Sequence, residues 1–418
     1  MLHQVGFGVK FIKDYNELNV LRFIKNFGPV SRAEIAKKYK ISKAAVSDII
    51  ARLINQGYVS EIGVGDSTSR GGRKPVLLRF NQMAGFVIGI EVKRSFARIA
   101  LADMNAQIYE MKIVEYEINC PFENVLDLIF PIIRYFLEID WVKHAKAIGI
   151  GVAIPGLIDY KSGSVQHSDT LKHWQNIPIR DLIEKEFNIK VIVENDVKAL
   201  TLGECLFGRG KEFSNQVYLW IGDGIGAGII VNGSLIRGIT ASAGEVGYDE
   251  LGFFVKDCSD FPLLYAGQKD FGDILSNKLL IETAQKCITN GNNTSLFADN
   301  LNIDTLIEAA EHDDPLATSL LNEFGHILGI LCINLVNTLN TELLIIGGSL
   351  LSRSDILLKY VKEKVQKDIL SAPAQAVKIV SAELKEKGGV LGASGLLLED
   401  LFYHDTLNII KYRSIFKQ

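Results

Sequence analysis

No run in this sequence approaches the roughly 18 uncharged apolar residues that a membrane-spanning helix needs, and only five of the 418 residues are cysteine. Those five (Cys120, Cys205, Cys258, Cys287, Cys332) are odd in number and scattered, with no Cys-x-x-Cys pair. A disulfide framework and a zinc ribbon are thereby excluded, and buried free thiols are expected. The N-terminus has no apolar core followed by a small-residue cleavage site, so a cytoplasmic location without membrane attachment is expected. At 48% hydrophobic and 22% charged residues, the composition is neither disordered nor fibrous, and the length predicts two or more soluble domains.

What is present is an uneven distribution of charge. The net charge is −4, yet residues 1–80 hold 14 Lys+Arg against 6 Asp+Glu, while the remainder holds 31 against 43. A basic module precedes an acidic body, the balance expected of a nucleic-acid-binding head on a sensor or enzyme.

In the head, Leu18, Leu21, Ile24 and Phe27 recur every three residues from Asn16 onward, and Gly28-Pro29 ends the run. Ser31, with Glu34 three residues on, forms a capping box for a short helix whose apolar positions are Ala33, Ile35, Ala36 and Tyr39. Ser42 caps a third helix through Ala45, Val46, Ile49, Ile50, Leu53 and Ile54 to Gly57. Three short helices with a tight turn before the third predict a helix-turn-helix. Ser42, Lys43, Ala44 and Ser47 would then face the major groove, with Ser31 and Arg32 on the preceding helix and Arg52 toward the phosphate backbone. The strand ending at Phe80 follows Arg70-Gly71-Gly72-Arg73-Lys74-Pro75, so Arg70, Arg73 and Lys74 are expected on the arm of a wing. The alternative is a helical bundle with a solvated basic face; caps, turn, wing and charge together disfavour it.

From Phe86 the pattern changes. Phe86–Val92, Phe96–Asp103 and Ile108–Tyr116 read as strands, followed by a helix over about Asn124–Glu138 and strands Ala147–Val152 and Val191–Glu194. The order then recurs: strands Gln216–Ile221 and Ala227–Val231, a helix over Pro315–Leu339, and a strand Leu343–Ile346. Two similar lobes with a cleft between them are predicted, from domains 1–80, 81–200 and 201–418, the last helix (Val390–Leu401) packing back on the first lobe. Asn195, offering donor and acceptor, and Asp196, an acceptor for vicinal hydroxyls, are candidate ligand contacts. Asn195 is equally a helix N-cap, and both roles are compatible. Trp174 reads as a packing aromatic more than a stacking platform, and His167 and His173 as surface residues.

The winged helix-turn-helix, Pro155-Gly156, Glu194-Asn195-Asp196, Gly222-Asp223-Gly224-Ile225-Gly226-Ala227-Gly228, Gly244-Glu245-Val246-Gly247 and Gly347-Gly348, in this order, resemble the ROK family of repressors and sugar kinases. The resemblance covers nearly the whole chain. It implies an α/β fold: an N-terminal winged helix-turn-helix followed by a two-lobed, actin-like (ribonuclease-H-type) body. It also implies that Asp196 stands where kinases keep their general base, that Glu245 contacts sugar, and that Pro155-Gly156 floors the pocket.

The departures from the family are informative. Where ROK kinases carry an Asp-x-Gly-Gly-Thr turn for phosphate, this chain reads Glu91-Val92-Lys93-Arg94-Ser95, so bulky side chains fill the turn. Asp223 replaces the usual hydroxyl residue in the second glycine turn, leaving Gly222, Gly224, Gly226 and Gly228 for a tight hairpin and lobe packing. The resemblance implies a histidine and three cysteines for structural zinc; here Tyr248, Cys258, Asp260 and Tyr265 stand there, and one thiolate does not build a tetrahedral site. No metal and no cofactor are expected. Tyr248 offers the sugar a hydroxyl or a stacking face, with Phe253, Phe254 and Tyr265 as packing support.

The resulting expectation is a non-catalytic, sugar-responsive repressor binding operator DNA as a homodimer or homotetramer, its sugar-binding residues being Pro155, Gly156, Asn195, Asp196, Glu245 and Tyr248. The alternatives are a bifunctional sugar kinase and a constitutive DNA-binding protein whose body holds a protein partner.

Overall fold

The structure is a computed structural model that describes residues 9–64, 74–222, 224–250, 262–264 and 270–402. The head has three helices, α1 (Val9–Phe27), α2 (Arg32–Tyr39) and α3 (Lys43–Asn55), and three strands, β1 (Val30–Ser31), β2 (Val59–Val64) and β3 (Val76–Phe80), ordered β1-β3-β2. The caps form as their sequence dictates. Ser31 Oγ accepts the Glu34 N–H while Glu34 Oε2 accepts the Ser31 N–H at 2.7 Å, and Ser42 Oγ accepts the Ala45 N–H at 3.1 Å. Each such cap contributes about 1 kcal/mol. Leu21, Ile24, Ile35, Val46, Ile50 and Leu53 close a core with Leu78 and Phe80, and Leu18 is buried as well.

Helix α1 starts at Val9, before Asn16, and Phe27 is 63% exposed although it continues the three-residue spacing. A repeat of three falls short of a full turn by about 60° per step. Three steps carry Phe27 to the far side of the helix from Leu18. Ala33 and Ala45 are likewise exposed.

The body holds two five-stranded sheets. The first uses β4 (Gly85–Val92), β5 (Phe96–Asp103), β6 (Ile108–Glu115), β7 (Lys146–Ile154) and β8 (Val191–Asn195) in the order β8-β7-β4-β5-β6. Helix α4 (Phe122–Leu137) packs on one face of it. The second uses β9 (Gln216–Ile221), β10 (Ile225–Val231), β11 (Ser234–Leu235), β12 (Leu343–Gly348) and β13 (Lys378–Ser381) in the order β11-β10-β9-β12-β13. In both, an antiparallel three-strand meander continues into two parallel strands. This duplication gives the two-lobed, actin-like α/β body.

Helix α5 spans Asp196–Phe207 and helix α6 spans Pro315–Leu339. Contrary to the expectation from the sequence, α6 is long and apolar enough to cross a membrane, because its polar residues are almost all uncharged; 72% of its most apolar stretch is buried, as the central helix of the second lobe. Helix α7 (Gly388–Phe402) returns to the first sheet. Glycines permit the approach: a Cβ at Gly151 would lie 1.8 Å from the Ala393 carbonyl oxygen, and one at Gly392 would lie 2.0 Å from that of Ala199 on α5. The far end of α7 meets the head. Arg22 Nε–H donates to the Leu401 carbonyl at 3.0 Å, the Phe80 and Phe402 rings meet edge-on at 5.6 Å, and Lys25 sits over Phe402.

Candidate functional site

Between the lobes lies a cleft of about 770 Å³, lined by the ends of β4, β7, β8, β9 and β12 and by the loops after them. Pro155, Gly156, Asn195, Asp196, Glu245 and Tyr248 all line this one cavity. Gly156 has φ +123°, and a Cβ there would meet the His167 carbonyl oxygen at 2.5 Å, so the loop after β7 requires glycine. Its carbonyl accepts the Asn195 Nδ2–H at 3.0 Å while Asn195 Oδ1 accepts the Lys198 N–H, which caps α5. Asn195 is therefore committed to the scaffold on both sides of its amide, and the adjacent Asp196 is thereby fixed at the cleft wall.

Asp196 is not free. Lys93, from the turn after β4, places its Nζ 2.8 Å from Asp196 Oδ2 and 3.4 Å from Glu91 Oε1, and lies over the Trp220 ring. Burial would lower the Lys93 pKa, but Asp196 and Glu91 outweigh it and hold the ammonium above its ordinary value. Arg98 pairs with the other Glu91 oxygen at 2.9 Å. The turn is closed by Tyr116, whose hydroxyl bonds the Lys93 and Phe96 carbonyls. Bulky Lys93 thus fills the turn after β4 at the cleft wall, and it neutralises the carboxylate below.

A second buried layer supports the first. Glu194, fully buried, pairs with Arg237 at 2.6 Å, and Arg237 stacks over Tyr160. Lys198, also buried, donates to the Ala241 carbonyl at 2.8 Å, and burial lowers its pKa. Burial raises the pKa of Glu245. Across the mouth, the exposed Tyr248 hydroxyl donates to Asp169 Oδ2 at 3.0 Å, and His167 Nε2 lies 3.0 Å from Asp169 Oδ1. Trp174 is buried in the first lobe, with its Nε1–H on the Cys120 carbonyl, while His167 and His173 are exposed. The glycines of β10 serve packing: a Cβ at Gly228 would meet Thr201 Oγ1 at 1.7 Å.

In the head, Ser42, Lys43, Ala44 and Ser47 are exposed at the start of α3, and Lys74 is exposed at the base of the wing. Ser31 is only 5% exposed and is used up in its cap, which leaves it no surface for a partner. Arg32 pairs with Glu61 of β2, and Arg52 with Glu17 of α1 at 2.7 Å. Arg70, Arg73, Asp223, Phe253, Phe254, Cys258, Asp260 and Tyr265 lie outside the described residues. Among the described residues, no three His, Cys, Asp or Glu gather to hold a metal ion.

Residues 87–400 match the model of the ROK family. The chain belongs to that family. Residues 8–66 also match a MarR-family model. The chain is 31% identical over 396 residues to the xylose repressor of Caldicellulosiruptor bescii, covering 93% of this chain and 97% of that one. A solved ROK-family transcriptional regulator, a homologue of the E. coli Mlc protein, shares the fold at TM-score 0.79 and 24% identity over 94% of this chain and 98% of its own. The ROK glucokinase of Streptomyces griseus, in complex with glucose and AMPPNP, shares the body at TM-score 0.62 and 21% identity over 75% of this chain and 99% of its own.

Within this ROK chain, three features went unseen in the sequence: the Lys93–Asp196 pair, the Glu194–Arg237 pair and the Asp169–Tyr248 bridge. Each joins residues far apart in the chain, and only the lysine in the glycine-poor turn after β4 gave a local signal.

Proposed function

We propose that the chain is a sugar-responsive transcriptional repressor. The head binds operator DNA through the exposed start of α3 and the wing, and a sugar seated between the lobes releases or alters that grip without phosphoryl transfer. Pro155, Gly156, Asn195, Asp196, Glu245 and Tyr248 form the sugar wall, and Ser42, Lys43, Ala44, Ser47 and Lys74 the described part of the DNA face; Arg70 and Arg73, outside the described residues, are proposed as further DNA contacts from the sequence alone.

The observation that carries this reading is the Lys93 ammonium on Asp196. A general base must be free to take a proton from the attacking hydroxyl. Here that carboxylate is already held by a buried cation, and the same side chain fills the turn on which phosphate would rest. Asp196 can still accept hydrogen bonds from sugar hydroxyls through its remaining lone pairs, so binding survives where catalysis does not.

The packing supplies a route from cleft to head. Asp196 begins α5, α5 lies against α7 through Gly392, and α7 ends on Arg22 and Phe80 of the head. A sugar that draws the lobes together shifts α5, and α7 carries the displacement to α1 and β3. Coupling of this kind amounts to about 1–3 kcal/mol of differential affinity.

The test is a magnesium-ATP turnover assay across pentoses and hexoses, D-xylose first because a relative bears that name, run beside a thermal-shift screen of the same sugars. At least one sugar stabilises the chain and none is phosphorylated. Turnover above background refutes the reading.

A further inference from the structure

Helix α3 carries two stripes of the same spacing. Val46, Ile49, Ile50 and Leu53 recur at i, i+3, i+4 and i+7 and are buried. Ala44, Ser47, Asp48 and Ala51 repeat that interval on the outward side, and all four are exposed. Two of the four are alanines, so the helix backbone can come close to whatever lies against this stripe. Lys43 stands about 100° around the helix from Ala44, at the flank, where a phosphate is nearer than a base. Asn55 shares the outward side but lies about 16 Å farther along the axis from Ala44, past the N-terminal turns with which a recognition helix reads bases.

The polar atoms on this stripe only accept. The Ser47 hydroxyl donates back to the Lys43 carbonyl at 2.9 Å, so it presents lone pairs outward. Asp48, when ionised, has nothing to donate. Arg52, four residues on and therefore its natural partner, turns instead to Glu17 at 2.7 Å, and Arg32 of α2 pairs with Glu61. The Asp48 carboxylate is left exposed. In the major groove the donors are the cytosine N4 and adenine N6 amino groups, thymine adds a methyl, and guanine offers two acceptors.

We infer that α3 reads amino-bearing bases and thymine and rejects guanine. Asp48, beside Ser47, accepts from a cytosine N4 or adenine N6 amino group, and Ala44 and Ala51 pack on thymine C5-methyl groups. A guanine at the Asp48 contact would set its O6 and N7 acceptors against a carboxylate, with no donor on the stripe to answer them. The inference rests on the head gripping operator DNA and adds which groups of the bases it selects.

The test uses the full chain and a duplex that it selects from a random pool, with affinity compared at one salt concentration. Replacing thymines one at a time by deoxyuridine deletes only the methyl, and should weaken binding about fourfold at one or two positions, the worth of one buried methyl. Deleting exocyclic amino groups one at a time, adenine to purine and cytosine to 2-pyrimidinone, should weaken it about tenfold at one position or more, as expected for a hydrogen bond to a charged group. Ala44→Gly should abolish one of the deoxyuridine penalties, and Asp48→Ala the amino-group penalty. Each ratio is taken within one variant, so an overall loss of affinity or stability cancels. Deletions without cost, penalties that persist in these variants, or guanine tolerated where the amino group matters each overturns the inference. A chain that selects no duplex refutes the operator reading itself, and the base readout with it.

Discussion

Replacing Lys93 by Met removes the cation that Asp196 and Glu91 share. The Lys93 side chain is 17% exposed, that of Asp196 9% and that of Glu91 3%, so the carboxylate left behind is mostly shielded from water. Breaking a buried pair from one side costs about 3–5 kcal/mol. Arg98 still answers Glu91, which places the expected loss near the lower end, about 3 kcal/mol. Asp196→Asn costs less, because Lys93 retains Glu91. In the double variant the orphaned charge is gone, so the two losses should fall short of adding by about 1.5 kcal/mol or more. Urea midpoints of the four proteins measure this. Folding raises the Lys93 pKa, so the pair's stabilisation is complete below the unfolded lysine value of about 10.4 and fades only as pH climbs through the higher folded value. The gap between wild type and Lys93→Met should be flat from about pH 6 to 9. Losses that add within about 0.5 kcal/mol, or a gap that closes near neutrality, would refute the ion pair.

Other consequences follow from the same geometry. Gly392→Ala puts a Cβ 2.0 Å from the Ala199 carbonyl oxygen; overpacking there should lower stability by about 1–3 kcal/mol, and an unchanged urea midpoint would contradict the α5–α7 contact. Lys43→Ala removes an exposed cation at the start of α3, so the slope of log K against log salt for duplex binding should fall by about 0.9. Burial pushes the Glu323 carboxyl up to about 7, against the Leu263 N–H that favours its charged form. The folded state then holds the proton longer than the unfolded one, so stability should decline as pH rises from about 4.5 to about 7. Glu323→Gln should flatten that decline in a thermal-melt series, and a slope equal to that of wild type would contradict it.

Local chemistry made much of the architecture legible. The capping serines at 31 and 42, the stops at Gly28 and Gly57, and alternating apolar runs each acted within a few residues, and the strand Phe96–Asp103 and helix Pro315–Leu339 stand where periodicity set them. Angular drift was the limit in α1: an interval of three looks like a stripe in sequence but turns Phe27 away from the core. The cleft wall was legible because its residues sit at strand ends beside glycine. What those residues do to each other was not. Lys93 and Asp196 are brought together by two strands of one sheet across 103 positions, and Arg237 reaches Glu194 across the lobes. The arginines show the same limit: Arg32 and Arg52 look like free cations in sequence, and folding gives each a carboxylate.

The most direct measurement is fluorescence anisotropy of the full chain on a duplex that it selects from a random pool, with and without each sugar of the panel, for wild type and Asp196→Asn. The proposed coupling predicts that at least one sugar changes the wild-type Kd by about fivefold or more and leaves the variant's Kd unmoved. An affinity indifferent to every sugar, or an equal shift in the variant, would contradict it.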